Sequence, residues 1–146
     1  MYAVLPPGPL TLGPEDMEDN AMIPADLRYS KDHEWIRLEG DRGTMGITEY
    51  AQGELGDIVY VELPEIGKAV TAGEVLGTIE SVKAVSEVYA PVAGTVVAVN
   101  ETLSSAPEKV NADPHGDGWI CTLQLAAAAD TSSLLDADDY RRLLGS

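Results

Sequence analysis

The sequence predicts a mainly β fold in which one sheet packs on another, and three observations carry that expectation. The chain is rich in valine and punctuated by 14 Gly and 9 Pro, a composition suited to half-buried strands divided by turns. It has no Phe and only two Trp and six Tyr, so Val, Leu and Ile must fill the interior. Apolar runs are short and bounded by turn residues, while helical signals are confined to short segments and the C-terminus. With 146 residues, 45% of them apolar, one modest core and one domain are expected.

Residues 1–22 carry prolines at 6, 7, 9 and 14, four carboxylates and no basic side chain. They show neither period and are expected to form a disordered extension ahead of a domain spanning 23–146. The extension fits neither a secretory signal, which needs basic residues before an apolar stretch, nor an Arg-rich transit peptide. From Trp35 to Glu39 the chain reads as a strand, Gly40-Asp41-Arg42-Gly43 as a turn, and Thr44 to Ile47 as the returning strand. Thr48 is suited to cap a short helix from Glu49 to Leu55, with Glu49 favourably placed at its positive end and Gly56 ending it. Asp57 to Leu63 follows as a strand that Pro64 breaks.

Strands are then expected at Ala69-Val70 and Val75 to Glu80, at Ser86 to Tyr89, and at Thr95 to Val99 after a Pro91-Val92-Ala93-Gly94 turn. Residues 102–111 hold a helical turn, and Gly118 introduces a strand from Trp119 to Leu125. An Ala-rich connection leads to a terminal helix. Asp136 is its expected cap, Asp138 and Asp139 suit its first turn, Arg141 and Arg142 suit its last, and Leu143 and Leu144 are expected to dock it.

Charge and cysteine content exclude several functions. Twenty-five Asp and Glu against nine Lys and Arg give a formal net charge of −16, which repels nucleic-acid phosphates; such a surface serves first as a solubility device, with steering toward basic patches on partner proteins as the functional alternative. Cys121 is the only cysteine, so no intrachain disulfide forms. Its apolar neighbours Trp119 and Ile120 predict a buried thiol. The longest apolar run is too short to span a bilayer as a helix, so no membrane association is expected. Asp113, His115 and Asp117 superficially suggest a metal loop, but the intervening Pro114, Gly116 and Gly118 read first as a turn, and no metal is expected.

Lys83 lies between two strand-like flanks, Gly77 to Val82 and Ala84 to Tyr89, and is expected at a hairpin tip. A tip exposes the amine to a modifying enzyme while the flanking ladders hold it in place. Exposed lysines near turns are common, and spacing alone favours an ordinary solvated side chain.

Glu80-Ser81-Val82-Lys83-Ala84, followed by Val88-Tyr89-Ala90-Pro91-Val92-Ala93-Gly94, closely resembles the lipoyl-attachment segment of the glycine cleavage system H-protein family. His33-Glu34-Trp35, Gly46-Ile47-Thr48-Glu49-Tyr50-Ala51-Gln52, Leu55-Gly56-Asp57-Ile58-Val59, Val61-Glu62-Leu63-Pro64, Val110-Asn111-Ala112-Asp113-Pro114 and Gly118-Trp119 resemble it in order and spacing. The resemblance covers roughly residues 23–144. It implies a flattened β-barrel or sandwich hybrid of the lipoyl and biotinyl carrier type, with short peripheral helices and a C-terminal helix.

It further implies a carrier rather than an enzyme, with lipoate attached through an amide to Lys83. The implied partners are glycine decarboxylase, aminomethyltransferase, dihydrolipoyl dehydrogenase and a lipoyl- or octanoyl-attaching enzyme. In that family the lipoyl carrier takes the aminomethyl group from the decarboxylase to the transferase, and its electrons go to the dehydrogenase. Glu80, with Ser81, Val82 and Ala84 around the lysine, is implied in recognition by the attaching enzyme. His33, Glu34 and Glu87 are implied in a sheltering pocket, where the two acids hold the amine as a cation. Surface solvation is the competing reading for each acid, and packing against aromatic rings is the favoured one for His33.

Biotin carriers usually hold their lysine between methionines, whereas Val82 and Ala84 flank it here. Lipoyl domains of 2-oxo acid dehydrogenases lack the His-Glu-Trp and Gly-Ile-Thr segments but stand as an alternative, with lipoyl relay or another lipoate-dependent pathway as a second. An adaptor with an unmodified lysine is a third. A monomer in the bacterial cytoplasm is expected, or in mitochondria for a processed eukaryotic protein.

Overall fold

The computed structural model describes residues 23–126 and 131–145. Strands β1 (Arg28–Tyr29), β2 (Glu34–Glu39) and β3 (Arg42–Ile47) precede helix α1 (Glu49–Leu55), and β4 (Ile58–Glu62), β5 (Ala69–Val70), β6 (Val75–Ser81), β7 (Val85–Tyr89) and β8 (Gly94–Val99) follow it. Two short helices, α2 (Thr102–Ser105) and α3 (Lys109–Ala112), lead to β9 (Cys121–Leu125) and α4 (Ala137–Leu143). The strands form a six-stranded sheet in the order β1-β2-β3-β9-β8-β5 and a three-stranded sheet in the order β4-β6-β7. All pairings between them are antiparallel. The result is sheet packed on sheet, as the valine-rich short strands predict, in the flattened, unclosed form of the sandwich that the resemblance implies.

The main core fills the space between the sheets with Ile36, Met45 and Leu123 from the larger one and Val61, Ile79 and Val88 from the smaller. Cys121 is fully buried among them, and desolvation pushes its thiol up to about 12. A thiol so shielded is a packing group.

A second apolar cluster joins Ile23, Leu27, Tyr29 and Trp35 to Ala137 and Tyr140 of α4. The Tyr29 and Tyr140 rings stack with centroids 4.6 Å apart. Trp35 donates its indole N–H to Pro114 O at 2.8 Å. A Cβ on Gly46, the cross-strand partner of Trp35, would come within 2.9 Å of that indole. Only a residue without a side chain leaves the indole its place, which accounts for the glycine in the middle of a strand.

Several expected elements are revised. The first hairpin turns on Gly40 and Asp41 alone, because Arg42 already pairs with Glu39, and Gly40 supplies a φ of 63°. The last strand begins at Cys121, since Asn100 holds the carbonyls of Asp117 and Trp119 in a turn just before it. The helical turn expected at 102–111 divides into α2 and α3 around Pro107, which has no amide N–H to continue a helix. Strand β1, with two residues, is too short to show a period and was not expected.

Asp136 caps α4 by accepting from Asp139 N at 2.8 Å. Ala137, Tyr140 and Leu144 dock the helix, whereas Leu143 is exposed. Ala137, Tyr140 and Leu144 follow one another at steps of three and four and cluster on one face, from which Leu143 is turned about 100° relative to its neighbour Leu144. The expected extension and most of the Ala-rich connection lie outside the described residues.

Candidate functional site

Strands β6 and β7 form a hairpin whose tip is Val82-Lys83, both exposed. Ser81 closes the turn. Its N–H donates to Ala84 O at 2.8 Å, and its Oγ accepts from Lys83 N at 3.2 Å and Ala84 N at 3.0 Å. Lys83 is thus fixed at the backbone and free at the amine, with only the space above Gly56 limiting its Cε, 3.5 Å from where a Cβ would stand. Ala84 is exposed beside it, and Glu80 is half-buried one pair below the tip.

The tip is tied to the rest of the molecule by Val82 N, which donates to Asp57 O at 3.0 Å. Asn111 of α3 holds the segment carrying that carbonyl. Its amide donates to Gly56 O at 2.9 Å and Gln52 Oε1 at 2.7 Å, and its Oδ1 accepts from Ile58 N at 2.8 Å. A continuous path therefore runs from Asn111 through the end of α1 to the hairpin. Asn111 falls in one of the motifs quoted above, but nothing in its local sequence says which backbone groups it serves.

Beside the hairpin, α1, β7 and the Asp32–Glu34 segment border a cleft of about 300 Å³. Ile47, Ala51, Leu55, Ile79 and Val88 line its apolar part, and Asp32, His33, Glu34, Tyr50, Glu54 and Glu87 its polar part. The structure brings His33, Glu34 and Glu87 together at this cleft, with Asp32, Tyr50 and Glu54 beside them. Tyr50 and Glu54 are four apart on α1 and so share a face. That spacing could have signalled them.

His33 has a φ of 69°, the one positive value outside glycine among the described residues. Its N–H donates to Ser30 O and its carbonyl accepts from Thr48 N, so the left-handed turn is held from both sides. The ring lies 4.9 Å from the Tyr50 ring, and Nδ1 is 2.8 Å from Tyr140 Oη. Tyr140 Oη also bonds Thr48 Oγ1, the cap of α1. Burial pushes the imidazole pKa below its ordinary value, against the opposing pull of Asp32 and Glu54.

Glu34 is only 2% exposed, which removes surface solvation as its reading. Its oxygens accept from Ser30 Oγ at 2.6 Å and Tyr89 N at 3.1 Å, joining β2 to β7. Burial raises its pKa to about 7 despite those two bonds. Glu87 is exposed and accepts from Tyr89 Oη at 3.2 Å.

A pH dependence follows. A raised folded-state pKa means that the folded protein holds a proton which the unfolded chain releases near pH 4.5. This stabilisation is complete below that value and is lost as pH rises through about 7. The expected loss is up to roughly 3 kcal/mol. Unfolding curves of Glu34→Gln should lack this component, and an unchanged pH profile would refute it.

His115 and Asp113, considered above as metal ligands, have other duties. His115 Nε2 accepts from Glu49 N at the start of α1, and Asp113 Oδ2 accepts from Asp117 N. No group of three or more His, Cys, Asp or Glu suited to a metal occurs among the described residues. No helix among them is long and apolar enough to cross a membrane.

The cleft can take a slender, largely apolar chain ending in a cationic or polar group, and Lys83 Cε lies near Gly56, the residue after the cleft-lining Leu55. Lipoate on a lysyl arm has this character: an apolar carbon chain suits Leu55, Ala51 and Ile79, and the amide linkage leaves no charge to desolvate. The residues present fit the group.

Comparisons with known proteins show the family. The profile of the family described as glycine cleavage H-protein matches residues 27–146. A glycine cleavage system H protein from Opitutus terrae is 58% identical over 84% of this chain and 98% of its own length. One from Rubrobacter xylanophilus is 56% identical over 85% of this chain and 96% of its own. The crystal structure of a glycine cleavage system H protein from Mycobacterium marinum superposes with a TM-score of 0.77 at 41% identity, covering 85% of this chain and all of that one. The chain therefore belongs to the glycine cleavage H-protein family, the lipoyl carriers of the glycine cleavage system.

Proposed function

We propose that Lys83 Nζ bears the lipoyl group, and that the chain carries the aminomethyl unit of glycine from glycine decarboxylase to aminomethyltransferase and reducing equivalents to dihydrolipoyl dehydrogenase. The observation that carries this reading is the exposed lysine on a turn closed by Ser81, with its Cε near Gly56, next to the cleft-lining Leu55. When bound, the lipoyl group supplies a disulfide that accepts the one-carbon unit and later yields two electrons. Every other task falls to the chain, and none of its residues performs bond chemistry. The bacterial relatives named above support a cytoplasmic carrier.

The turn at Ser81 keeps the attachment point in one place, so a flexible arm searches a small volume rather than free solution. Leu55, Ala51 and Ile79 give its chain an apolar bed and exclude water from the loaded end. Glu34 and Glu87 meet that end with negative charge. A seated ammonium favours ionised Glu34 and returns its pKa toward the ordinary carboxylate range, so seating releases a proton. Glu80, Ser81, Val82 and Ala84 lie at the tip and present Lys83 to the attaching enzyme.

In the double variant Glu34→Gln/Glu87→Gln, the loaded carrier should lose its one-carbon unit about tenfold faster, one lost charge-assisted contact's worth. Equal lifetimes, read by mass, would remove the two acids from this role. Reconstitution with the three purified enzymes tests the pathway. Glycine-dependent methylene transfer to tetrahydrofolate is expected. A lipoylated carrier that fails there but donates its lipoyl group to another acceptor would establish relay instead.

A further inference from the structure

The face of the three-stranded sheet turned away from the core carries an apolar strip that the carrier role does not use. Val59 is 52% exposed, Tyr60 48%, and Val82 and Val85 69% each. Cross-strand register assembles the strip, since Tyr60 lies opposite Glu80 and Glu80 opposite Val85, and such pairs share a face. An irregularity between Ile58 and Tyr60 turns two consecutive residues, Val59 and Tyr60, to solvent. The bond from Val82 N to Asp57 O sets the tip beside them. Glu80 lies within the strip between Tyr60 and Val85, and Glu62 at its edge; the ion pairs found among the described residues, Arg141–Asp138 and Arg142–Asp139, engage neither.

We propose that this strip is the docking surface for the enzyme that acylates Lys83, and that the enzyme meets it with an apolar hollow edged by Lys or Arg. The inference rests on the lipoyl reading of Lys83 and adds the surface that selects it. Charge complementarity argues for the occupant, because unpaired carboxylates around exposed apolar side chains, on a chain of net charge −16, suit a basic rim. Selection argues for the same enzyme. The lysines of the chain are Lys31, Lys68, Lys83 and Lys109, and an amine alone does not distinguish them. Only Lys83 is bracketed in sequence by Val82 and Val85, the two most exposed large apolar side chains among the described residues. The strip lies on the face opposite Ile79 and Val88, which line the cleft, and meets the cleft only at Glu87, two residues along β7 from Val85.

In the step served, Nζ attacks the carbonyl carbon of an activated acyl donor, an acyl phosphate anhydride or thioester. The amide C–N bond forms, the bond to the activating group breaks with its electron pair leaving on that group, and Nζ releases a proton.

The test is acylation of the full unmodified chain by a purified lipoate–protein ligase with ATP and lipoate. Val59→Ser/Tyr60→Ser should lower kcat/KM at least about tenfold, as for interface anchors, through KM with kcat retained. Val85→Thr keeps the β-branched shape and should give a smaller loss, so the proposal stays testable if the double variant folds poorly. Added salt should weaken the wild type more than Glu62→Gln/Glu80→Gln. Leu143→Ser, on α4, should change nothing. Wild-type rates in the folded double variant or in Val85→Thr would overturn the proposal, as would normal acylation with slowed turnover only at a glycine cleavage enzyme. No acylation of wild-type Lys83 would instead overturn the lipoyl reading beneath it.

Discussion

Lys83→Arg should abolish lipoyl addition entirely while leaving the fold unchanged. The guanidinium keeps the charge and most of the reach, but its delocalised nitrogens stay protonated and cannot act as the attacking amine. Structural cost is absent for a definite reason. The turn is closed by the Ser81 hydroxyl and by backbone groups of Ser81, Lys83 and Ala84, none of which the substitution removes. Intact mass with peptide mapping, after co-expression with a lipoyl-attachment system and lipoate, reads the outcome. One lipoyl addition on the wild type, mapping to Lys83 and missing from the variant, is expected. Addition at Lys31, Lys68 or Lys109, or persistence in the variant, would remove Lys83 from the attachment role.

Asn111→Leu should destabilise the protein by about 3 kcal/mol, because three hydrogen bonds worth roughly 1 kcal/mol each are lost and their partners are left in a partly buried place. Gly56 O and Gln52 Oε1 lose a donor, and Ile58 N loses its acceptor. A fall in Tm on the order of 10 °C is expected for a domain of this size. The effect should also reach the hairpin, since the loosened segment carries the Asp57 carbonyl that holds Val82. Faster amide exchange at Val82 N and Ile58 N than in an equally destabilised α4 variant would show this. Destabilisation without that local change would confine Asn111 to the stability of the α1–α3 junction.

The contrast between Lys83 and Asn111 shows which parts of the site were open to sequence reading. Lys83 sits between two strands of a local hairpin, so its exposure follows from alternation and a two-residue tip a few positions away. Asn111 acts on groups 53 to 59 positions earlier in the chain, and no local pattern announces such a partner. Glu34 gives the same lesson. Its place beside His33 and Trp35 marked it, but the backbone N–H that its carboxylate accepts from belongs to Tyr89, 55 positions later. The C-terminal helix divides along this line too. Its cap at Asp136 and its charge order were readable, whereas the stacking of Tyr140 on Tyr29 was not.

By itself the sequence determined the mainly β class, most strand positions, both capped helices and the lysine at the tip. Each depends on residues within about one turn or one hairpin of each other, where periodicity, capping and turn chemistry act. The tertiary structure alone decided the order of strands in the two sheets, the cleft beside the hairpin, the elevated pKa of Glu34, and the exposed strip of Val59, Tyr60, Val82 and Val85. These depend on which distant segments exclude water from one another. Desolvation and cross-strand register belong to the packed arrangement, and no stretch of the chain carries them alone.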